Sequence, residues 1–218
     1  GDEVRAVAEI PLPGELRNRA LRLELVDAGS AAASILLDER WRRRPVGLVS
    51  GGGGEERSQP LLSNLYYLER ALQPYAELRR GEIATLLQRP LAVLILADIG
   101  RLSKAQQDHL TQWLTDGGML IRFAGPHLAQ GADKLIPTPL RQGGRALGGS
   151  LSWSKPAGLA AFPPHSPFQG LAVPSDVLVN RQVLAQPSQD LAQRTWASLA
   201  DGTPLVTAAK RGQGWLVL

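Results

Sequence analysis

The side chains that could support nucleophilic or acid–base chemistry are few. The chain has three histidines, His109, His127 and His165, and it has no cysteine. A cysteine nucleophile is therefore excluded, and a serine would have to replace it. His165 is followed by Ser166, but no serine lies in a GxSxG context, and an adjacent His-Ser pair in a proline-rich loop is more typical of structure than of a catalytic dyad. We therefore predict no catalytic residue.

Metal and cofactor motifs are also missing from the sequence. Neither Asp98 with Asp108 nor His127 with Asp133 has the spacing of a zinc or calcium site. The glycine run 51–54 follows a predicted strand, but GGGGEERSQP matches neither GxGxxG nor the P-loop pattern, and its two glutamates would repel a phosphate. A surface loop explains this run better than a nucleotide site. We predict no metal and no cofactor.

One group of residues remains as candidates for a small-ligand site. Open parallel sheets keep their ligands beyond the carboxyl ends of the strands, and five residues follow predicted strands in this way. They are Gly51, Asp98, Gly125, Pro126 and His127. For Asp98 we favour a structural role, in which a strand-end carboxylate accepts backbone N–H groups or pairs with an arginine such as Arg101 or Arg122.

The elements that would position these residues follow from the hydrophobic pattern. Leu91–Ala97 is uninterrupted and aliphatic, which is typical of a strand buried on both faces. Ser103 predicts a helix N-cap, apolar residues follow at helical spacing, and Gly117 and Gly118 predict the end of that helix. Met119–Phe123 then predicts a second parallel strand, which a right-handed crossover would join to the first.

The same alternation extends on both sides of this unit. Upstream, the pattern predicts a strand at 45–50, a helix from 60 to about 74, a strand at 76–78 and a helix at 82–87. This order predicts a doubly wound α/β domain whose parallel sheet carries helices on both faces. After Phe123 the pattern loosens, and turn signals at 201–202 and 211–214 predict a closing antiparallel meander.

The first 44 residues have a different pattern. Val4–Ile10, Leu21–Val26 and Ser34–Leu37 predict short strands with no helix between them. So few strands rarely stand alone, so we interpret residues 1–44 as the end of an upstream β-sandwich in preference to an added layer on the α/β domain at 45–218. The polar start and the apolar finish of the chain indicate a piece of a longer protein.

Composition and charge exclude some classes of partner. The net charge is +4, and 24 residues are Lys or Arg, of which four are lysines. The arginines are scattered, apart from Arg40 and 42–44, and no aromatic residues alternate with them, so nucleic-acid binding is not predicted. No apolar run reaches the roughly 18 residues of a membrane span. The lack of cysteine fits an oxidising compartment.

Several segments carry a resemblance to known proteins. LAVLILADI, WLTDGG, MLIRFAGP and DGTPLVTAAKRGQGWLVL resemble the class I glutamine amidotransferase-like fold. WRRRPVGLVSG, QPLLSNLYYLERALQPY, RALGGSLSW, SPFQGLAVP and NRQVLAQP are similar to an extracytoplasmic region of bacterial proteins with an N-terminal double-transmembrane anchor. Those proteins are related to the aerotolerance (Bat-type) group and carry a C-terminal domain of unknown function. The resemblance implies a flavodoxin-like sheet in the periplasmic part of an inner-membrane protein, whose membrane anchors lie outside this chain.

The resemblance also implies where a nucleophile would stand. Amidotransferases of this fold carry a cysteine on a strained elbow after a strand such as MLIRF, and here the turn Ala124–His127 takes that place without one. Our favoured hypothesis is a non-catalytic scaffold or interaction domain, whose partners are other domains of the full-length protein and other membrane-associated proteins. The alternative is a degenerate domain that binds a small ligand, or keeps hydrolase activity, at the carboxyl ends of the parallel strands. Trp41 and Trp153 are candidates for an interface because they lie in polar contexts.

Overall fold

The computed structural model describes residues 7–8, 10–12, 16, 19–38, 43–51, 65–146 and 156–218, and for 142–146 it describes the backbone alone. Some predicted features lie outside these residues. They are most of the strand at 4–10, Arg40, Trp41, Arg42, the glycines at 52–54, the start of the helix at 60, and Trp153. The described part of the first predicted strand, residues 7, 8 and 10, is not in a strand.

A small ribbon precedes the main domain. Strand β1 (Arg22–Glu24) pairs antiparallel with β2 (Ser34–Leu36), and these two strands are separate from the main sheet. Two of the three strands predicted in this region therefore exist, both shorter than predicted. The apolar side chains of the ribbon point into solvent, because Ile35 is 60% exposed and Leu36 78%. The boundary between 1–44 and the α/β domain stays a prediction.

The main domain contains nine strands and five helices among the described residues. The strands are β3 (Arg44–Ser50), β4 (Ala76–Arg80), β5 (Val93–Ala97), β6 (Met119–Phe123), β7 (Leu140–Ala146), β8 (Arg181–Ala185), β9 (Thr195–Ser198), β10 (Pro204–Arg211) and β11 (Gly214–Val217). The helices are α1 (Tyr66–Leu72), α2 (Ile83–Leu86), α3 (Lys104–Thr115), α4 (Pro126–Gln130) and α5 (Leu191–Arg194).

Seven of these strands form one mixed sheet in the order β4-β3-β5-β6-β11-β10-β9. The first five run parallel, and β10 and β9 are antiparallel to their neighbours. The prediction of an α/β fold with a largely parallel sheet and a closing meander is therefore confirmed. If the five parallel strands are numbered by their order in the sequence, their spatial order across the sheet is 2-1-3-4-5. Strands β7 and β8 form a separate antiparallel ribbon. The segment VLVNRQVLAQ predicts a strand where β8 lies, but the sequence predicted neither β7 nor this pairing.

The helix between β5 and β6 begins and ends where the sequence predicts. Ser103 is its N-cap, and the Gln106 backbone N–H donates to the Ser103 hydroxyl at 3.3 Å while the Gln106 side chain accepts from the Ser103 N–H at 2.9 Å. This reciprocal pair is a capping box. Gly117, with φ of 111°, reverses the chain after the helix, a conformation that favours glycine.

The two faces of the sheet have separate hydrophobic cores. Helices α2 and α3 cover one face, which we call the packed face; its core residues Leu110, Leu114, Leu120 and Leu216 are fully buried. Helix α1 covers the other face over β3 and β5. Beyond α1, that second face continues under β6, β11 and β10, and we call this part the open face. Alternation along a strand places neighbouring residues on opposite faces.

Candidate functional site

The five candidate residues do meet at one edge of the sheet. Strands β3, β5 and β6 are neighbours in parallel register, so that Ser50 lies beside Ala97 and Ala97 beside Phe123. The residues that follow these strand ends are therefore adjacent. The Gly51 N–H donates to the Ala97 carbonyl at 3.0 Å, and the Asp98 N–H donates to the Phe123 carbonyl at 3.0 Å. From β3 the chain continues to β4 on one side, and from β5 it continues to β6 on the other, so the gap between β3 and β5 is a topological switch point.

Asp98 is at the centre of this edge. Its side chain is almost buried, and its carboxylate accepts the backbone N–H groups of His127 and Leu128, each at 3.1 Å. These groups belong to the first turn of α4, so Asp98 caps a helix that is distant in sequence. Asp98 also has φ of 49°, a left-handed conformation that aspartate tolerates better than most residues. The favoured strand-end role is therefore observed, with backbone N–H groups as the partners.

Two of the candidate glycines make room for Asp98. A Cβ atom on Gly51 would lie 2.2 Å from the Asp98 carbonyl oxygen, and one on Gly125 would lie 2.4 Å from the Asp98 carboxyl carbon. Real Cβ atoms do not approach so closely, so both positions need glycine for close packing. Pro126 takes the first helical position, which suits its fixed φ and missing N–H. Among the described residues, Asp98 therefore occupies the space beside both glycines, with its backbone at Gly51 and its carboxylate at Gly125.

His127 is the chemically active member of the group. Its Nδ1 lies 2.9 Å from an Asp98 carboxylate oxygen, and 59% of its side chain is exposed. A buried carboxylate behind an exposed imidazole orients the ring as an acid–base group requires. Within the described part of the chain, no hydroxyl is recorded in a hydrogen bond with this ring. The turn Ala124–His127 is a strand-to-helix turn as expected, but its glycine is extended, with φ of −147°.

The other histidines are placed apart from this edge. His165 Nε2 lies 2.9 Å from the Thr195 carbonyl oxygen, and the neighbouring Ser166 hydroxyl accepts the Phe168 N–H at 3.0 Å. His165 and Ser166 thus contact different backbone groups, in agreement with the structural reading of this pair. His109 is exposed on α3. Among the described residues, no group of three or more potential ligands could hold a metal ion.

A buried ion pair that the sequence did not predict lies next to this edge, on the packed face. Arg122 is 1% exposed, and its guanidinium donates to Asp133 at 2.8 Å and to the carbonyls of Ile99, Gly100 and Leu135 at 2.7–3.1 Å. The pair ties the loop after β5 to the loop after α4. Burial lowers the pKa of Arg122, and the attraction of the Asp133 carboxylate opposes that change. The pairing of Asp98 with Arg122 that we considered from the sequence is therefore wrong.

A large cavity on the open face also escaped the sequence analysis. Its volume is about 670 Å³, and its walls come from β6, β8, β10 and the loop that contains Phe168. Met119, Ile121 and Phe123 alternate along β6 and form part of its floor. That alternation is visible in MLIRF, but no sequence signal places the β7–β8 ribbon opposite it. Among the described residues, no helix is both long and apolar enough to cross a membrane.

Comparisons with known proteins bear on the fold alone. No protein-family model matches the chain, and no curated protein sequence matches it. Among solved structures, a β-galactosidase from Bacillus circulans sp. alkalophilus is similar, with a TM-score of 0.50 and 12% identity over 80% of this chain and 28% of that one. A GH42 β-galactosidase from G. stearothermophilus and its catalytic mutant match at 10% identity, with TM-scores of 0.39 and 0.38, over 80% of this chain and 27% of theirs.

This chain therefore spans under a third of the length of the enzymes that it resembles. At 12% identity, the match to the Bacillus circulans enzyme shows a shared arrangement of helices and strands and carries no activity with it. The two matches with lower scores add no weight. The structure and the comparisons together establish a mixed α/β domain with a largely parallel seven-stranded sheet.

Proposed function

We propose that this chain is a non-catalytic protein-interaction domain in the extracytoplasmic part of a membrane-anchored bacterial protein. Its frame would be flavodoxin-like, of the class I glutamine amidotransferase-like type. The order of the five parallel strands, second-first-third-fourth-fifth, supports the flavodoxin-like frame because it is the order of that fold. Support for the amidotransferase-like type and for the location comes from the sequence resemblance.

The single observation that carries the non-catalytic part is the position of Asp98. Its backbone carbonyl lies against Gly51, and its carboxylate lies against Gly125 and caps α4, so Asp98 takes up space at the strand ends where such sheets bind ligands. The chain also lacks the cysteine that the resemblance would require there. An enzyme frame that lacks this cysteine and keeps a capping carboxylate at its strand ends suits a binding role.

The β1–β2 ribbon supports the proposed role in protein–protein interaction. Leu23, Leu25, Val26, Ile35 and Leu36 are between 44% and 88% exposed. Contiguous exposed apolar residues mark protein contacts, and a two-stranded ribbon has little stability by itself. We expect the ribbon to pair with β-structure from another domain of the same full-length protein.

A second candidate function rests on the His127–Asp98 pair. An oriented and exposed imidazole could act as a general base toward a bound water, which would make the domain a residual hydrolase at the strand ends. That function needs an electrophile held next to the ring. The two functions differ in whether the protein turns over a substrate.

Turnover can be measured directly on the purified protein with glutamine and with p-nitrophenyl acetate. We expect no rate above buffer for the wild-type protein, and no change for His127→Ala. His109→Ala is the matched control, since that histidine is also exposed but lies on α3. A rate that His127→Ala abolishes and His109→Ala preserves would contradict the non-catalytic proposal and support the second candidate.

The interaction part can be tested with a photo-crosslinking amino acid in the intact membrane-anchored protein. Placed at Leu36, it should crosslink to another domain of the same polypeptide, which peptide mass spectrometry would identify. Placed at Thr111, which is exposed on α3, it should not. Equal crosslinking at both positions, or none at Leu36, would overturn the proposed role of the ribbon.

A further inference from the structure

The cavity on the open face has the size of a small-molecule site. Its volume is about 670 Å³, and it is open to solvent on one side. Small-molecule sites usually occupy about 300–1,000 Å³, so the volume falls in the middle of that range. The cavity lies on a different part of the sheet from Asp98, and no candidate from the sequence lines it.

The walls of the cavity are mainly apolar. The floor from β6 contributes Met119 and Ile121, which are partly exposed although they lie in the middle of the sheet. Phe168 and Trp196 form an aromatic wall, with their ring centroids 6.4 Å apart and their planes nearly perpendicular. Such a lining favours a ligand whose buried part is hydrocarbon, because the gain from burial scales with apolar area.

One cation stands on the β8 side of the cavity. Arg181, Val183 and Ala185 alternate along β8 and share one strand face, and all three line the cavity together with Gln182. Arg181 is exposed at the start of this strand, and no ion pair is recorded for it within the described part of the chain. It can therefore offer its guanidinium to a ligand at the mouth of the cavity, while the two apolar residues continue the wall inward.

The described side chains that line the cavity include cationic groups and no acidic group. Arg122 is the other ionisable residue of the described lining, and its guanidinium is already engaged by Asp133 and three carbonyls. None of the described lining residues is acidic. No described lining side chain therefore offers an ion pair to a cationic ligand, whereas a carboxylate could form charge-assisted hydrogen bonds with Arg181.

We propose that this cavity binds a single-chain amphiphile of the fatty-acid class, with its hydrocarbon chain between β6 and the β7–β8 ribbon and its carboxylate at Arg181. Two features of the ligand follow from the lining. It needs a flexible apolar part, since aliphatic and aromatic side chains form the interior, and it needs one negative charge, since Arg181 is the one available cation among the described lining residues.

Isothermal titration of the purified 218-residue chain with monomeric laurate tests this proposal. We expect saturable binding of one laurate per chain, and binding at least about tenfold weaker for dodecanol and for dodecyltrimethylammonium, because neither can accept from Arg181. Arg181→Gln should weaken laurate binding by about tenfold. Its matched control, Arg141→Gln, removes an exposed arginine of β7 that does not line the cavity and should leave the affinity unchanged.

Filling the cavity with a larger side chain tests where the hydrocarbon chain of laurate binds. Ile121→Trp should abolish laurate binding from the floor, and Val183→Trp should do so from the ribbon, so a folding failure of either variant leaves the other informative. Thermal unfolding verifies that each variant is folded. Absence of saturable laurate binding, equal affinity for the cationic amphiphile, or undiminished binding in both folded tryptophan variants would each overturn the proposal.

A second measurement distinguishes a free fatty acid from the acyl chain of a membrane lipid. Free laurate and an acyl chain within a bilayer share the same chemistry, so cosedimentation with phosphatidylglycerol vesicles is the second arm. We expect the chain to bind monomeric laurate and to stay in the supernatant with vesicles. The wild-type protein could instead pellet with vesicles, lose this binding in Ile121→Trp, and fail to bind monomeric laurate. That result would contradict a soluble single-chain ligand.

Discussion

Two faces of the same strand in this protein have opposite environments. On β6, Leu120 and Arg122 point to the packed face and are buried, whereas Ile121 is partly exposed and Phe123 is 45% exposed on the open face. On the packed face, α3 places Leu110 and similar side chains directly against the strand. On the open face, a ribbon and a loop surround a cavity instead.

The difference shows that hydrophobicity alone does not decide whether a face is filled. Both faces of β6 carry large apolar side chains, and both belong to a strand in the middle of the sheet. A helix presents a continuous stripe that interlocks with a sheet, while a two-stranded ribbon covers less area and leaves space. The packed face therefore contributes more to stability, and the open face carries the cavity that we proposed as a ligand site.

The largest difference in the free energy of unfolding is expected between variants of the neighbouring residues Arg122 and Phe123. Arg122→Ala should lower the free energy of unfolding by about 3–5 kcal/mol, because it leaves the buried Asp133 carboxylate without its partner. Phe123→Ala should cost less than about 1 kcal/mol, because the ring is already half in solvent. Urea unfolding measures both. Equal losses would mean that the ion pair does not hold the two loops together.

The apolar neighbours Leu120 and Ile121 allow the stability of the two faces to be compared without a change of charge. Leu120→Ala should destabilise the protein by about 3 kcal/mol, since it leaves a new cavity in a dense core. Ile121→Ala should cost at most about half as much, because Ile121 already borders an empty space and is incompletely buried. Thermal or chemical unfolding of the two variants would reveal the ratio. A larger loss for Ile121 would show that the open face is packed in solution.

A smaller effect is expected at the edge where Asp98 caps α4. Asp98→Asn preserves the shape and tolerates the left-handed backbone, but it removes the charge that faces the helix N-terminus. We expect a loss of about 1 kcal/mol. The control is Asp108→Asn, which breaks an exposed pair with Lys104 and should change stability by less than about 0.5 kcal/mol. Indistinguishable values would contradict the capping role.

The smallest effect concerns α5, next to β9 and β10. A hydrogen bond from Ser188 and the charge of Arg194 hold the pKa of Asp190 below its ordinary value of 3.8. A carboxylate with a lowered pKa stabilises the fold above that ordinary value and loses this contribution as the pH falls through its lowered pKa. The melting temperatures of wild type and Asp190→Asn should therefore differ slightly at neutral pH and converge in acid. A difference that persists in acid would contradict this account.

Much of the fold could be predicted from local patterns. Ser103, Gly117 and the apolar segments around them predicted the β5-α3-β6 unit, because caps and strand periodicity depend on neighbours in sequence. The grouping of Gly51, Asp98 and His127 was also predictable, since parallel strands end at a common edge. Helix α4 and strand β7 were not, because His127–Gly149 lacks a clear hydrophobic period.

The candidate site was predictable as a location and unpredictable in its contacts. The sequence placed Asp98 at a strand end, but its partners, the N–H groups of His127 and Leu128, lie about thirty residues away. Arg122 looked like any charged residue within an apolar strand, and its pairing with Asp133 required two loops to meet. The cavity required the β7–β8 ribbon to lie over β6, a placement without a local signal.

By itself, the sequence determined that cysteine chemistry is excluded, that a largely parallel sheet forms, and that Gly51, Asp98 and His127 share one edge of it. These conclusions depend on composition and on patterns that repeat within a few residues. The tertiary structure alone decided that Asp98 packs against Gly51 and Gly125, that Arg122 is buried and paired, and that the open face carries a cavity. Each of these depends on the space between distant segments, which is fixed when their side chains compete to pack against the same sheet.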